Sequence, residues 1–321
     1  MKKNIRREKL NMAALIESLF SVRETPWHGQ GIIVEDTPTS EDAIRLAGLD
    51  WKVEQKPIYL ADGTEIKGNY ANVRSSDNKP LGIVGERYQI VQNTDAFAFT
   101  DALLGEGVKY ETAGSLKEGK VIWLLAKLPE KYDILGDKVD PYVVFTNTHD
   151  GSGAVRVAMT PIRVVCNNTL NMALRSAKRV WTARHTGNIQ YKLDDAMQTL
   201  TLADEYMKAT KSTFEELYKV KMDEFTVRRV INNVIPITEN MTDRQKANAT
   251  AVRDDIMFRY KEAPDLKVLD KTGARLVQAV ADTVDHMEPI RQTQNYKENH
   301  FKRMLEGNQI LDKAVGIILA A

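Results

Sequence analysis

A lone cysteine, Cys166, means that no disulfide can form within the chain, and this fits a reducing compartment. Long apolar runs are missing as well, since none approaches the ~18 residues that a membrane span needs. The first twenty residues begin basic (Lys2, Lys3, Arg6, Arg7, Lys9). Their apolar part is short and interrupted by Glu17, which makes a poor secretory signal. These absences lead us to expect a soluble, cytoplasmic protein with no membrane partner. Net charge is nearly absent: 45 Lys and Arg against 44 Asp and Glu leave +1, so no whole-chain field points to a polyanion. Any argument for one has to be local.

Fixed-period repeats and low-complexity linkers are also lacking. What remains is ordinary globular composition, 43% hydrophobic and 28% charged, over 321 residues, which suits roughly two domains. Two textures divide the chain near residue 195. Up to there, β-branched and aromatic runs alternate with turn residues, the pattern of strands and hairpins. Strands are expected over Trp51 to Tyr59, through Tyr70 and Val73 after an Asp62-Gly63 turn, and over Leu81 to Val91. Further strands are expected over Val108 to Thr112, Val121 to Leu128, Tyr142 to Thr146 and, after Asp150-Gly151, Ala154 to Val165. Two helices interrupt them. One has a capped start at Thr39-Ser40-Glu41-Asp42 and stops at Gly48; the other runs from Asn93 or Thr94 to Gly105. Leu10, Ala13, Ala14 and Glu17 lie at helical spacing and suggest an N-terminal helix or arm over residues 1–25. Beyond residue 195, Met197, Leu200, Tyr206, Met207, Phe214 and Leu217 recur at helical spacing, with breaks at Pro236 and Pro264. The expected fold is therefore α+β: an antiparallel hairpin sheet with packed helices over 26–195, then a mainly helical region over 196–321.

Motifs for catalysis are scarce. Gly114-Ser115-Leu116-Lys117-Glu118-Gly119-Lys120 matches the spacing of a phosphate-binding loop, but a true one continues with Ser or Thr and a helix. Here Val121, Ile122 and Trp123 follow, so a hairpin turn is the better reading. The histidines (His28, His149, His185, His286, His300) are scattered, and no Cys/His pair has metal-ligand spacing. His149-Asp150 reads as part of a turn, and Cys166, after Ile162, Val164 and Val165, as a small buried hydrophobe. No enzyme chemistry, metal or cofactor is expected.

One feature does stand out. Residues 151–193 contain no acid at all, yet they hold Arg156, Arg163, Arg175, Lys178, Arg179, Arg184 and Lys192, with His185 besides. Carboxylates near a phosphate groove repel it, so leaving them out matters as much as supplying Arg and Lys. Asn167, Asn168, Asn171, Gln190, Trp181 and Tyr191 are interleaved, and Trp181 or Tyr191 could stack on an unpaired base. Nucleic acid is the leading reading of this stretch. A surface for an acidic protein and a plain solvated face, with Trp181 in the core, stand beside it.

Pro26-Trp27-His28, His149-Asp150-Gly151-Ser152 and the block Ile162-Arg163-Val164-Val165-Cys166-Asn167-Asn168-Thr169-Leu170 resemble the phage/plasmid-like protein family catalogued as domain of unknown function 932. That resemblance implies a phage, prophage or plasmid origin and a bacterial host cell, and it carries no catalytic residues to transfer. The order of strands from Val108 to Val165, then a helix near Asn167, is also similar to single-strand annealing (Rad52-like) proteins, which self-assemble and hold single strands in a basic groove. Together these lead us to expect a single-stranded DNA-binding, annealing-type recombination protein that forms homo-oligomers. Arg156 and Arg163 would contact phosphate from the sheet, and Arg175, Lys178 and Arg179 from the next helix. Arg184 and Lys192 would act at that helix's exit, and Trp181 would stack. The alternative is an interaction protein that counters or redirects a host protein.

Overall fold

Strands between positions 16 and 183 build two sheets rather than one. The computed structural model describes residues 16–22, 32–36, 38–104, 109–128, 130–163, 172, 180–188, 201–287 and 307–320. The smaller sheet is an antiparallel meander of β3 (Val53–Tyr59), β4 (Glu65–Arg74) and β5 (Pro80–Gly85). The larger sheet contains β1 (Ile16–Val22), β2 (Ile32–Val34), β6 (Lys109–Leu116), β7 (Val121–Lys127) and β8 (Tyr132–Ile134), with β9 (Asp137–Thr148), β10 (Val155–Arg163) and β11 (Val180–Ala183). Its order is β11-β10-β9-β7-β6-β1-β2, with β8 paired to β9. All its pairings are antiparallel except that of β1 with β2.

Two short helices accompany the sheets. Helix α1 (Ser40–Leu46) begins where expected: the Asp42 N–H donates to the Thr39 hydroxyl at 3.3 Å, and Gly48 takes up a positive φ of 61° just past the end. Helix α2 (Asn93–Leu104) leads into β6. Leu49, Phe97, Phe99, Tyr110, Ile122, Leu124, Phe145 and Val157 bury their side chains between these helices and the sheets. Each such side chain contributes roughly 1.5–3 kcal/mol by leaving water.

From residue 201 the structure is helical, as the spacing predicts. It comprises α3 (Thr201–Lys219), α4 (Glu224–Val234), α5 (Asp243–Glu262), a 3-10 turn at Pro264–Leu269, α6 (Gly273–His286) and α7 (Gln309–Leu319). Helix α4 ends before Pro236 and the 3-10 turn begins at Pro264, so both prolines act as breaks. Helix α6 is buried along most of its length and forms the axis of a second core with Phe214, Leu217, Val227, Ile231 and Leu311. Ile134 and Val139, from the β8–β9 hairpin, belong to this helical core.

Two expectations are corrected. The N-terminal helix does not extend through residues 16–22, which form strand β1, inserted between β6 and β2 with Phe20 and Val22 buried. Sheet pairing overrides the helical spacing there. The strand expected to run to Val91 stops at Gly85, where the chain turns and the Tyr88 N–H donates back to the Gly85 carbonyl at 2.9 Å. The phosphate-loop look-alike is a hairpin turn between β6 and β7. Lys117, Glu118 and Gly119 all have positive φ, and Ser115 pairs with Ile122. The helix expected to begin near Asn167 lies outside the described residues, as do Pro26-Trp27-His28 and Cys166.

Candidate nucleic-acid interface

The seam between the two sheets is drawn tight at one point. Gly82 of β5 packs against the turn after β9, where a Cβ on Gly82 would sit 2.5 Å from the Asp150 Cα. No side chain fits there. In that turn Gly151 holds a positive φ of 77°, and the Asp150 carboxylate accepts from the Ser152 N–H at 2.9 Å and the Ser152 hydroxyl at 2.6 Å. This is the Asp-turn geometry that the Asp150-Gly151 pair predicts.

Beneath the seam lies a buried polar network. Asn72 Nδ2 donates to the His149 carbonyl at 2.7 Å, and Asn147 Nδ2 donates to the Val91 carbonyl at 2.9 Å. His149 Nε2 lies 2.9 Å from Asn93 Oδ1. Asn93 spends its amide N–H groups on the Leu49 and Trp51 carbonyls, so its oxygen accepts and His149 Nε2 carries the proton. His149 is fully buried, and burial pushes its pKa down to about 3, with the neighbouring His185 adding to the shift. It is a neutral core side chain.

A second set of contacts ties the segment after β5 to the one after β11. The Gln89 N–H donates to the His185 carbonyl at 2.9 Å, and His185 Nδ1–H donates to the Gln89 carbonyl at 2.9 Å. The Tyr88 and His185 rings stack 4.5 Å apart at 13°, and the Tyr88 hydroxyl donates to the Thr148 carbonyl at 2.7 Å. Burial raises the Tyr88 pKa, with the Asp150 carboxylate adding to it, so this phenol stays protonated.

Around these contacts opens a cleft of about 680 Å³. Gly68, the segments Gly85 to Tyr88 and Gly151 to Ala154, Arg156, and the segment Arg184 to Thr186 line it. Three arginines from three places in the sequence thus meet on one concavity: Arg87, Arg156 and Arg184, all exposed. Among the described residues that line it, Glu86 is the one carboxylate.

The acid-free stretch contributes to this site unevenly. Arg156 and Arg184 are brought together. Trp181 is not: it pairs with Val157, which pairs with Phe145, so the pleat places it on the core face, half-buried against the sheet core. Arg156 pairs with Thr182 and Thr146 on the other face. Arg163 ends β10 opposite Val139, seven residues from Arg156 and so about 23 Å along the strand. Arg175, Lys178, Arg179, Tyr191 and Lys192 lie outside the described residues.

Arg87, Tyr88 and the buried Asn72–Asn93–Asn147 network are site features that the sequence reading passed over. The one available signal for Arg87 is the Gly85-Glu86-Arg87 break in an otherwise apolar strand pattern.

Residues 80–305 match the family model described as Domain of unknown function (DUF932). The chain belongs to this family. The match takes in every lining residue of the cleft except Gly68. Like the fold, the DUF932 match spans the boundary between sheet and helical region. No curated protein and no solved structure matches this DUF932 member. The expected likeness to single-strand annealing proteins finds no support in these comparisons. Among the described residues, no helix is long and apolar enough to cross a membrane.

Proposed function

We propose that this DUF932 protein binds single-stranded nucleic acid, with the seam cleft as part of the phosphate-contacting surface. It would work as an annealing-type recombination protein of a phage or mobile element in the bacterial cytoplasm. The observation that carries the reading is the convergence of Arg156 and Arg184, 28 residues apart in the acid-free stretch, on one cleft, where Arg87 joins them. Charge-assisted hydrogen bonds from guanidinium to phosphate supply affinity without reading sequence. Self-assembly belongs to the reading, because a single cleft holds too few nucleotides to align two strands.

The test is fluorescence anisotropy with a labelled single strand, titrated across salt beside a duplex control. Binding should favour the single strand and weaken steeply with salt. Arg156→Ala and Arg184→Ala should each reduce the slope of log affinity against log salt by about 0.7. No binding at low salt by folded protein, or unchanged slopes in both variants, would sink the reading.

A protein partner for the helical region is a second reading, favoured by two large apolar side chains. Phe225 is 74% exposed on α4 and Phe258 64% on α5, helices joined by a Glu224–Lys261 ion pair at 2.9 Å. A host partner held through them would resist nuclease and be released by Phe225→Asp with Phe258→Asp.

A further inference from the structure

Strand β2 ends the larger sheet, and among the described residues only β1 pairs with it. Its isoleucines face water: Ile32 is 55% exposed and Ile33 48%. Native proteins cover or charge such an edge, because its free main-chain groups are a template for any extended segment. Beside β2 runs an open groove of about 690 Å³. Ile32, Val34 and Leu46 supply its apolar lining, and Glu35 and Asp36 stand just past the end of the strand.

The charges of this groove do not cancel. Arg45 is committed to Asp42, 2.5 Å away, so that pair is neutral. Glu35 and Asp36 are exposed, and among the described residues neither has an ion pair or a hydrogen bond. Glu41, exposed beside Asp42 on α1, adds to the negative field. Cations of the right number stand at the start of the sequence. Lys2, Lys3, Arg6, Arg7 and Lys9 set five positive charges against the one carboxylate of Glu8, with Ile5 and Leu10 as apolar neighbours.

The chain is long enough to join the two. Strand β1 starts at Ile16, and Phe20 pairs with Ile32. The free edge of β2 at Ile32 is then roughly 16 Å from Ile16, four residues along and two strand spacings across. Residues 10–15, extended, span up to ~20 Å. Residues before them can follow β2 toward Glu35 and Asp36, a course antiparallel to β2.

We infer that the groove beside β2 is the docking surface of this chain's own basic N-terminal segment, Lys2 to Leu10. Its cations meet Glu35 and Asp36, and its main chain lies along the β2 edge. Because the segment is tethered, its effective concentration is on the order of millimolar, so contacts too weak to hold a free peptide suffice. The inference is independent of the nucleic-acid reading.

The test uses the full chain. A carbodiimide, which joins an amine directly to a carboxylate touching it, should link Lys2, Lys3 or Lys9 to Glu35 or Asp36, as read by mass spectrometry. Run on an equal mixture of unlabelled and isotope-labelled protein, the reaction should link residues of like label only. Trypsin should cut after Lys3, Arg6, Arg7 and Lys9 about fivefold faster in Glu35→Gln with Asp36→Asn than in wild type, since exposed ion pairs are lost. High salt should bring wild type to the rate of the variant. Both exchanges are at exposed positions and add no cleavage site, so the circular dichroism of the variant should match wild type. Equal cleavage of the two proteins, or no link to Glu35 or Asp36, would overturn the inference. Links between differently labelled chains would overturn it too, giving the groove to the segment of a second copy.

Discussion

His149 shows how burial overrides what a residue's type suggests. In sequence it sits beside Asp150-Gly151 and reads as part of a surface turn; in the fold it is fully buried, neutral and bonded to Asn93. The unfolded chain takes up a proton near pH 6.5 that folded His149 refuses until about pH 3. More protons are then bound in the unfolded state between those values, so stability falls as the pH drops through that window. The slope from this one residue approaches about 1.4 kcal/mol per pH unit. Urea denaturation at about pH 7, 6 and 5 should show this loss, and His149→Gln should flatten it. Equal slopes in the two proteins would assign the acid sensitivity elsewhere. Other single residues were legible in advance because their work is local. The Thr39 cap and the Asp62-Gly63 turn need neighbours within three or four positions, and both form as expected. Arg87 was not legible, since an arginine in a charged turn looks the same wherever that turn packs.

Gly82 belongs to the scale of elements. Strand β5 reaches the β9–β10 turn only because position 82 has no Cβ, and Gly82→Ala would drive that atom to 2.5 Å from the Asp150 Cα. Backbone on both sides must then shift. A loss of about 1–3 kcal/mol is expected, read as a lowered midpoint in chemical denaturation. Weaker binding of a phosphate-bearing ligand should follow, because one wall of the cleft is displaced. A variant as stable as wild type would mean that the two sheets tolerate separation. Strand β1 makes the complementary point. Of the helically spaced residues only Glu17 lies in it, and β6 on one side and β2 on the other supply partners that spacing within residues 10–17 does not register. The β6–β7 hairpin was readable for the opposite reason. Val121, Ile122 and Trp123 are strand formers directly after a turn, whatever the preceding glycine spacing resembles.

At the scale of the molecule the described residues form two large cores, one under the sheets and one among the helices, and Tyr206 links them. It stands on α3, yet its side chain is buried in the sheet core. Its hydroxyl donates to the Met172 carbonyl at 2.8 Å and accepts from the Met172 N–H at 3.1 Å. Tyr206→Phe keeps the ring and strands both Met172 groups, which should cost about 1–3 kcal/mol. Tryptophan fluorescence reports largely on the sheet region, where Trp123 and Trp181 lie on strands and Trp51 is buried just before β3, and far-ultraviolet circular dichroism largely on the helices. If Tyr206 couples the cores, both transitions shift together in Tyr206→Phe; a shift in fluorescence alone would mean that it does not. The amino-acid sequence by itself determined the α+β class, the change of texture near residue 195, the caps and turns, and an acid-free run of 43 residues. Those properties depend on residue type and short spacing. Only the tertiary structure decided that Arg156 and Arg184 meet Arg87 while Trp181 turns to the core. Strand register and the packing of one sheet on another set which distant residues share a cleft, and neither is written in the order of residues near them.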